Sequence, residues 1–444
     1  MYLYQFIRQL QFSDIPDHTR QIVSHSLLDI IGIAAGASHN QTAQQIKNYA
    51  IKHYTPTHLY SRLLFDGRPV HPLGAAWAGG FIVDSLDAHE GHFTSKGHAG
   101  ATIVPALIAL ADAYCNQGQQ ISGSELLAAI TIGYETALRA GIALMNSTAE
   151  YHASGAFSGI GVVCGGARLL NLNEQQFRHA LGIAEYFGPR CPMMRLVDFP
   201  SMLRDAHGAG AYAGINALLL AQEGITGAPA ETVAMKNVQH YWDDLGKRWE
   251  IDAQYFKPWP VCRWAQPALT AITTLMNQHP EINANNIETI RIETFHESMR
   301  LQGHFPANAD EAQYSLAFPV AALISRGQLG PTEVTGDAIY AEDILAISRR
   351  IEIIEADDLS ACFPEAMLSR VHILLKNGHQ YSSPNTPAKG DPATAMTTAE
   401  FHDKFQLLAA SQLPQSRINA IKETVTNLEQ AKDCRSLLRQ ILTP

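Results

Sequence analysis

The chain has 444 residues, 46% hydrophobic and 17% charged, with a formal net charge of −10. Such a length exceeds the usual reach of one hydrophobic core and predicts two domains, in an enzyme of ordinary composition. The acidic balance, with no Lys/Arg run to reverse it locally, argues against a nucleic-acid or membrane partner.

The opening M-Y-L-Y-Q-F-I-R-Q-L lacks the basic and then apolar order of a signal peptide. Ser13-Asp14-Ile15-Pro16 has the capping chemistry of a helix start, and Ile22 to Ala35 continues at helical spacing. Gly74 to Val83 predicts a helix of small residues, and Ala101 to Ala113 another. Between them lies D-S-L-D-A-H-E-G-H-F-T-S-K-G-H-A-G, Asp84 to Gly100. Acid, base and cation concentrated between two core helices carry a desolvation cost that catalytic sites tolerate, because it tunes pKa values. This window is read as the edge of an active site.

Further helices are expected over Gly123 to Met145, Gly159 to Leu170 and Gly208 to Gln222, whose small residues let helices approach closely. Their glycines lack the strand-loop-helix context of a nucleotide fingerprint. No uninterrupted apolar run reaches membrane-spanning length. The pattern changes after Pro267. Ile287 to Phe295 alternates as a half-buried strand does, Ile351 to Ile354 and Arg370 to Leu375 read as strands, and Asn377-Gly378 supplies a hairpin turn. Helices over Glu311 to Ile324 and Ala341 to Ser348 interleave with them. The fold class expected is mixed α and α+β: a large all-α helical domain over 1–266, a smaller α+β lid domain over 267–396, and helices over 397–444 returning to the first domain. The six cysteines (Cys115, Cys164, Cys191, Cys262, Cys362, Cys434) are scattered without zinc spacing, so no metal site is expected, and reduced thiols suit the cytoplasm.

Several segments together resemble one family. They are L-L-D-I-I-G-I-A-A-G (from Leu27), H-A-G-A-T-I-V-P-A-L (from His98), Y-H-A-S-G-A-F-S-G-I-G (from Tyr151), K-P-W-P-V-C-R (from Lys257), E-A-Q-Y-S-L-A-F (from Glu311) and K-G-D-P (from Lys389). In order along nearly the whole chain, they resemble the MmgE/PrpD family, which includes 2-methylcitrate dehydratase, cis-aconitate decarboxylase and iminodisuccinate epimerase. The resemblance implies a homodimer with a cofactor-independent site between helical domain and lid, acting on a small carboxylate. It does not choose among three reactions that share proton transfer at carbon.

By the same resemblance His152 and His98 are the catalytic histidines: His152 is expected to move the proton on carbon, as the imidazole pKa suits, and His98 to serve as partner acid, assisted by Asp84 or Asp87. Lys257 matches an active-site lysine that can stabilise an enediolate. Asp84 and Asp87 stand where the family has D-F-D-D-T. Ala88 replaces its threonine, and about four additional residues precede His98. Arg204 takes a lysine's place in S-M-x-K-D, substituting a planar fork for a point charge. Arg263 can fork a carboxylate, Lys96 in the longer loop is a candidate substrate contact, and Cys262 stands where decarboxylases carry histidine. His89 and His92 are expected to face solvent or to lie behind the site. The function expected is a hydro-lyase acting on a di- or tricarboxylic hydroxy acid, with an epimerase or a decarboxylase as alternatives.

Overall fold

The computed structural model describes residues 2–301 and 303–444. Its larger part is a helical assembly whose central members are α1 (Asp17–Ala37), α2 (Pro72–Asp84), α3 (Gly100–Asn116), α4 (Gly123–Ser147), α5 (Gly155–Leu169) and α6 (His207–Gln222). Two of them are capped by local side chains. Pro72 occupies the first turn of α2 behind a His71 cap, and the Ser122 side chain accepts the Glu125 N–H at the head of α4. The α4 helix is long and apolar enough to cross a membrane, but its most apolar stretch is entirely buried, packed against α5.

Close helix approach depends on missing side chains. A Cβ on Gly208, in the first turn of α6, would fall 2.1 Å from the Phe81 ring and 2.6 Å from the Trp77 carbonyl oxygen of α2. That crossing sets the start of α6 against the end of α2, which is where Asp84 sits.

After Gln266 the chain enters α7 (Gln266–Gln278) and then a five-stranded sheet. Two short paired strands that matter to the site precede it in the chain, β1 (Gly91–His92) and β2 (Gln254–Tyr255). The sheet strands are β3 (Ile287–Thr294), β4 (Ile351–Glu355), β5 (Leu368–Leu375), β6 (Gln380–Ser382) and β7 (Thr386–Pro387). Their order is β4-β3-β5-β6, with β7 on the other end of β5; β3 and β4 are parallel, and the remaining pairs antiparallel. Along β5, Ser369, Val371, Ile373 and Leu375 are buried alternately, and α7 covers that strand. Gly378, at φ +88°, turns the β5–β6 hairpin.

The single helix expected over Glu311 to Ile324 is two, Ala309–Gln313 and α8 (Ala317–Arg326). Pro319 has no N–H to give the Ser315 carbonyl, so a continuous helix would lose a bond there; the proline lies instead in the first turn of α8. At the C-terminal end α9 (Thr398–Ala409) packs on α1, and the helix Arg435–Ile441 packs on α3.

Candidate active site

Three segments of the helical part meet. The first begins at Asp84, the last residue of α2. The chain then passes Asp87, His89 and Glu90 into β1, which pairs with β2 in the register Gly91↔Tyr255. This pairing brings Lys257, two residues beyond β2, alongside Asp87, with Nζ 2.5 Å from Oδ1. The second segment is the entry to α6, where Arg204 and Ala206 both take left-handed backbone conformations (φ +41° and +60°). Such conformations are costly for non-glycine residues and here aim Arg204, Asp205 and His207 inward. The third is the turn before α5, where the Ser154 hydroxyl donates to Asp205 Oδ2 at 3.0 Å and accepts the His98 backbone N–H at 2.9 Å.

Three imidazoles cluster there. The His89 ring lies 4.5 Å from that of His98 and 5.0 Å from that of His207. Both nitrogens of His89 and Nε2 of His207 are buried without hydrogen-bond partners, while His207 Nδ1 shares a 2.8 Å hydrogen bond with the Thr102 hydroxyl. His89 Nε2 is 3.6 Å from Asp84 Oδ1 and 3.8 Å from Asp87 Oδ1. His98 Nε2 is 3.5 Å from Asp205 Oδ2.

Burial drives the electrostatics. Desolvation, reinforced by the nearby Asp205 charge, raises the Asp84 carboxyl well above the usual range, so Asp84 holds its proton more tightly than an ordinary carboxyl. Burial would also raise Asp87, but the Lys257 ammonium overrides it and holds Asp87 below its ordinary value. Desolvation lowers His89 and His207 well below the usual histidine value, helped at His89 by Lys257 and at His207 by His98. His98 is lowered by burial and then by Lys257, against the pull of Asp205 and Asp87. Burial and Asp87 push the Cys262 thiol up to about 12, so it is not a thiolate.

The segment around Asp310 to Tyr314 completes the arrangement. Gln313 Oε1 accepts both the Asp87 backbone N–H at 2.8 Å and Arg204 Nη1 at 3.0 Å, and Arg204 Nη2 reaches Asp310 at 2.6 Å. Tyr314 is buried with its ring 5.9 Å from the Arg204 guanidinium. Arg263 pairs with Asp391 and stacks 4.5 Å over Tyr255, leaving Nε and Nη1 buried without partners.

Of the residues singled out in the sequence, Asp84, Asp87, His98, Lys257 and Arg204 come together, and Cys262 and Arg263 stand beside them. His89 faces neither solvent nor the rear; it is at the centre. His92 is buried away from the cluster, its Nε2 3.4 Å from Glu250. Lys96 lies outside the cluster, exposed on the 92–97 turn with φ +50°, because the His92–Gly97 pairing carries the loop tip outward. His152 is buried, two residues from Ser154, with Nδ1 unpartnered, and the charged neighbours acting on it are Arg190 and Glu150. Arg204 is held by Asp310 and Gln313, not by Asp205. Sequence reasoning missed Asp205, His207, Gln313 and Tyr314, although each lies within or directly after a segment that carried the resemblance.

Asp84, His89 and His207 present donor atoms within 4.8 Å of one another, as a metal site would. Lys257 and Arg204 set two cations against the same groups, which disfavours a divalent ion and suits the set to proton exchange.

The MmgE/PrpD N-terminal domain matches residues 2–240, and the MmgE/PrpD C-terminal domain matches residues 259–430. A cis-aconitate decarboxylase-like protein, oryM, of Aspergillus oryzae is 23% identical, over 99% of this chain and 96% of its own. A cis-aconitate decarboxylase of Aspergillus terreus is 21% identical, over 98% of this chain and 94% of its own.

Proposed function

Because this chain belongs to the MmgE/PrpD family of enzymes, we propose that it is a hydro-lyase removing water from a small di- or tricarboxylic hydroxy acid. The observation that carries this reading is the opposite displacement of neighbouring groups. The Asp84 carboxyl is shifted to hold its proton more tightly, while the imidazoles beside it are shifted to hold theirs less tightly, around the Lys257–Asp87 pair. A buried acid next to a buried base is what elimination of water requires.

In this mechanism a substrate carboxylate shares the Lys257 ammonium, and the buried unpartnered N–H groups of Arg263 take a second. His98 Nε2 accepts the proton from the carbon next to the carboxylate, and Lys257 stabilises the enediolate as the C–H bond breaks. The C–O bond then breaks, the Asp84 carboxyl gives its proton to the departing hydroxyl, and water leaves. Asp205, 3.5 Å from His98 Nε2, stabilises the imidazolium formed on the way. No step draws on a metal or an organic cofactor.

Decarboxylation is the second reading, favoured by what the two Aspergillus relatives are named for. The same lysine would stabilise the same enediolate, formed by loss of carbon dioxide, with a protonated side chain quenching the carbon. Proton NMR in D2O with 2-methylcitrate, citrate, cis-aconitate and iminodisuccinate separates the readings. Loss of water from a hydroxy acid supports the hydro-lyase. Carbon dioxide release from cis-aconitate replaces it with a decarboxylase, and deuterium uptake with neither loss replaces it with an epimerase.

A further inference from the structure

Glu90 has no part in the mechanism above, yet it is fully buried next to His89, with its backbone on His98 and its side chain on the helix start just beyond. Its backbone carbonyl lies 2.5 Å from His98 Nδ1. Its side-chain Oε1 accepts the Gly100 N–H at 2.7 Å, at the head of α3, which begins two residues after His98. A free N–H at a helix start and a carboxylate are natural partners.

The surroundings lock this clamp. A Cβ on Gly100 would lie 1.9 Å from the Tyr134 hydroxyl oxygen and 2.5 Å from Glu90 Oε1, so only glycine lets α3, α4 and Glu90 meet. Behind them, Lys404 of α9 pairs with Asp29 of α1 at 2.6 Å and donates to the Ala88 carbonyl at 2.8 Å, pinning the backbone that leads into Glu90. The groups facing Glu90 are therefore Asp29, Tyr134, Lys404 and the Gly100 N–H.

A carbonyl oxygen can only accept, so the hydrogen bond at His98 Nδ1 requires the proton there. In the neutral ring Nε2 is then bare, and it is Nε2 that stands 3.5 Å from Asp205. We propose that Glu90 is a positioning residue that locks His98 in its Nδ1–H tautomer, making Nε2 the nitrogen that takes a proton from a substrate carbon. This rests on the role given to His98 above, but the tautomer can be read without any substrate.

The test uses the full chain with 15N-labelled histidine, at about pH 8 where imidazole is neutral. Two-bond 15N–1H correlation reads the tautomer, and His98→Asn assigns the signal. Wild type is expected to hold Nδ1–H at His98. Glu90→Gln, which keeps an acceptor for Gly100, retains it. Glu90→Ala lets the ring relax toward the Nε2–H form, and carbon-proton exchange on the active acid falls about tenfold or more with little change in KM. Should Glu90→Ala not fold, Glu90→Asp, with its carboxylate withdrawn by one methylene, is expected to give a mixture of tautomers. An Nε2–H signal in wild type overturns the proposal. So does a folded Glu90→Ala protein that keeps Nδ1–H, whatever its activity. If none of the acids reacts, the hydro-lyase reading fails while the tautomer result still decides the role of Glu90.

Discussion

Asp84, Asp87 and Glu90 are three carboxyls in seven residues, all buried, and their surroundings give them different charges. Asp87 has Lys257 at 2.5 Å and stays ionised, whereas Asp84 and Glu90 have no cation in contact and hold their protons more tightly. Burial and the Asp29 charge raise Glu90 from 4.5 to about 7. A carboxyl that binds its proton more tightly when folded contributes stability that is complete below pH 4.5 and lost as the pH rises through 7. For Glu90 that contribution is about 3 kcal/mol. Glu90→Gln should therefore flatten the fall in stability between pH 4.5 and 7, measured as the urea midpoint at each pH. An unchanged slope would mean that Glu90 titrates normally. The residue types of this site were legible because acid, base and cation crowd one short window between apolar helices. Their individual roles were not. Lys96 and His92 have the same chemistry as Lys257 and His89; the turn carries Lys96 outward, and β1 buries His92 against Glu250 instead. His207 was missed because a lone histidine at the head of a small-residue helix carries no local signal.

At the scale of elements, the helices were legible because composition and spacing act locally. The small-residue runs predicted close packing, and the crossing of α2 with α6 is an instance. Gly208→Val would drive side-chain atoms into the Phe81 ring and into the Trp77 carbonyl, which as backbone cannot swing aside. The expected cost is about 2 kcal/mol or more, read as a lowered denaturant midpoint. Activity should fall further than stability explains, because Asp84 and His207 sit at the two ends that would be pushed apart. A variant with wild-type midpoint and activity would contradict this account of the crossing. The pairing of β1 with β2 was beyond the sequence. Two residues are too few to show alternation, and their partners are more than 160 positions apart. Yet this pair delivers Lys257 to Asp87. The proline that splits the expected helix at Glu311 to Ile324 was visible, but its effect depends on where in the helix it falls.

Across the whole molecule, lid and helical part are joined through the site itself. Gln313 holds Asp87 and Arg204 together, and Asp310 and Asp391 neutralise the two arginines. Substrate carboxylates therefore enter a site whose cations already have charge partners, and must share them or use the N–H groups left free on Arg263. The family was legible from ordered motifs because several of them supply the segments that converge here, those beginning at His98, Tyr151, Lys257 and Glu311. Which reaction follows was not legible, since dehydration, decarboxylation and epimerisation all need a proton moved at carbon beside a stabilised carboxylate. The most direct measurement is the rate at which the active acid takes up deuterium at carbon from D2O. It would be compared among wild type, His98→Asn and His152→Asn, with folding checked by circular dichroism. The geometry predicts a fall of at least about 100-fold for His98→Asn, the usual worth of a general base, and a smaller fall for His152→Asn. Exchange that survives in His98→Asn and disappears in His152→Asn would place the proton-moving group outside the buried cluster and contradict the account.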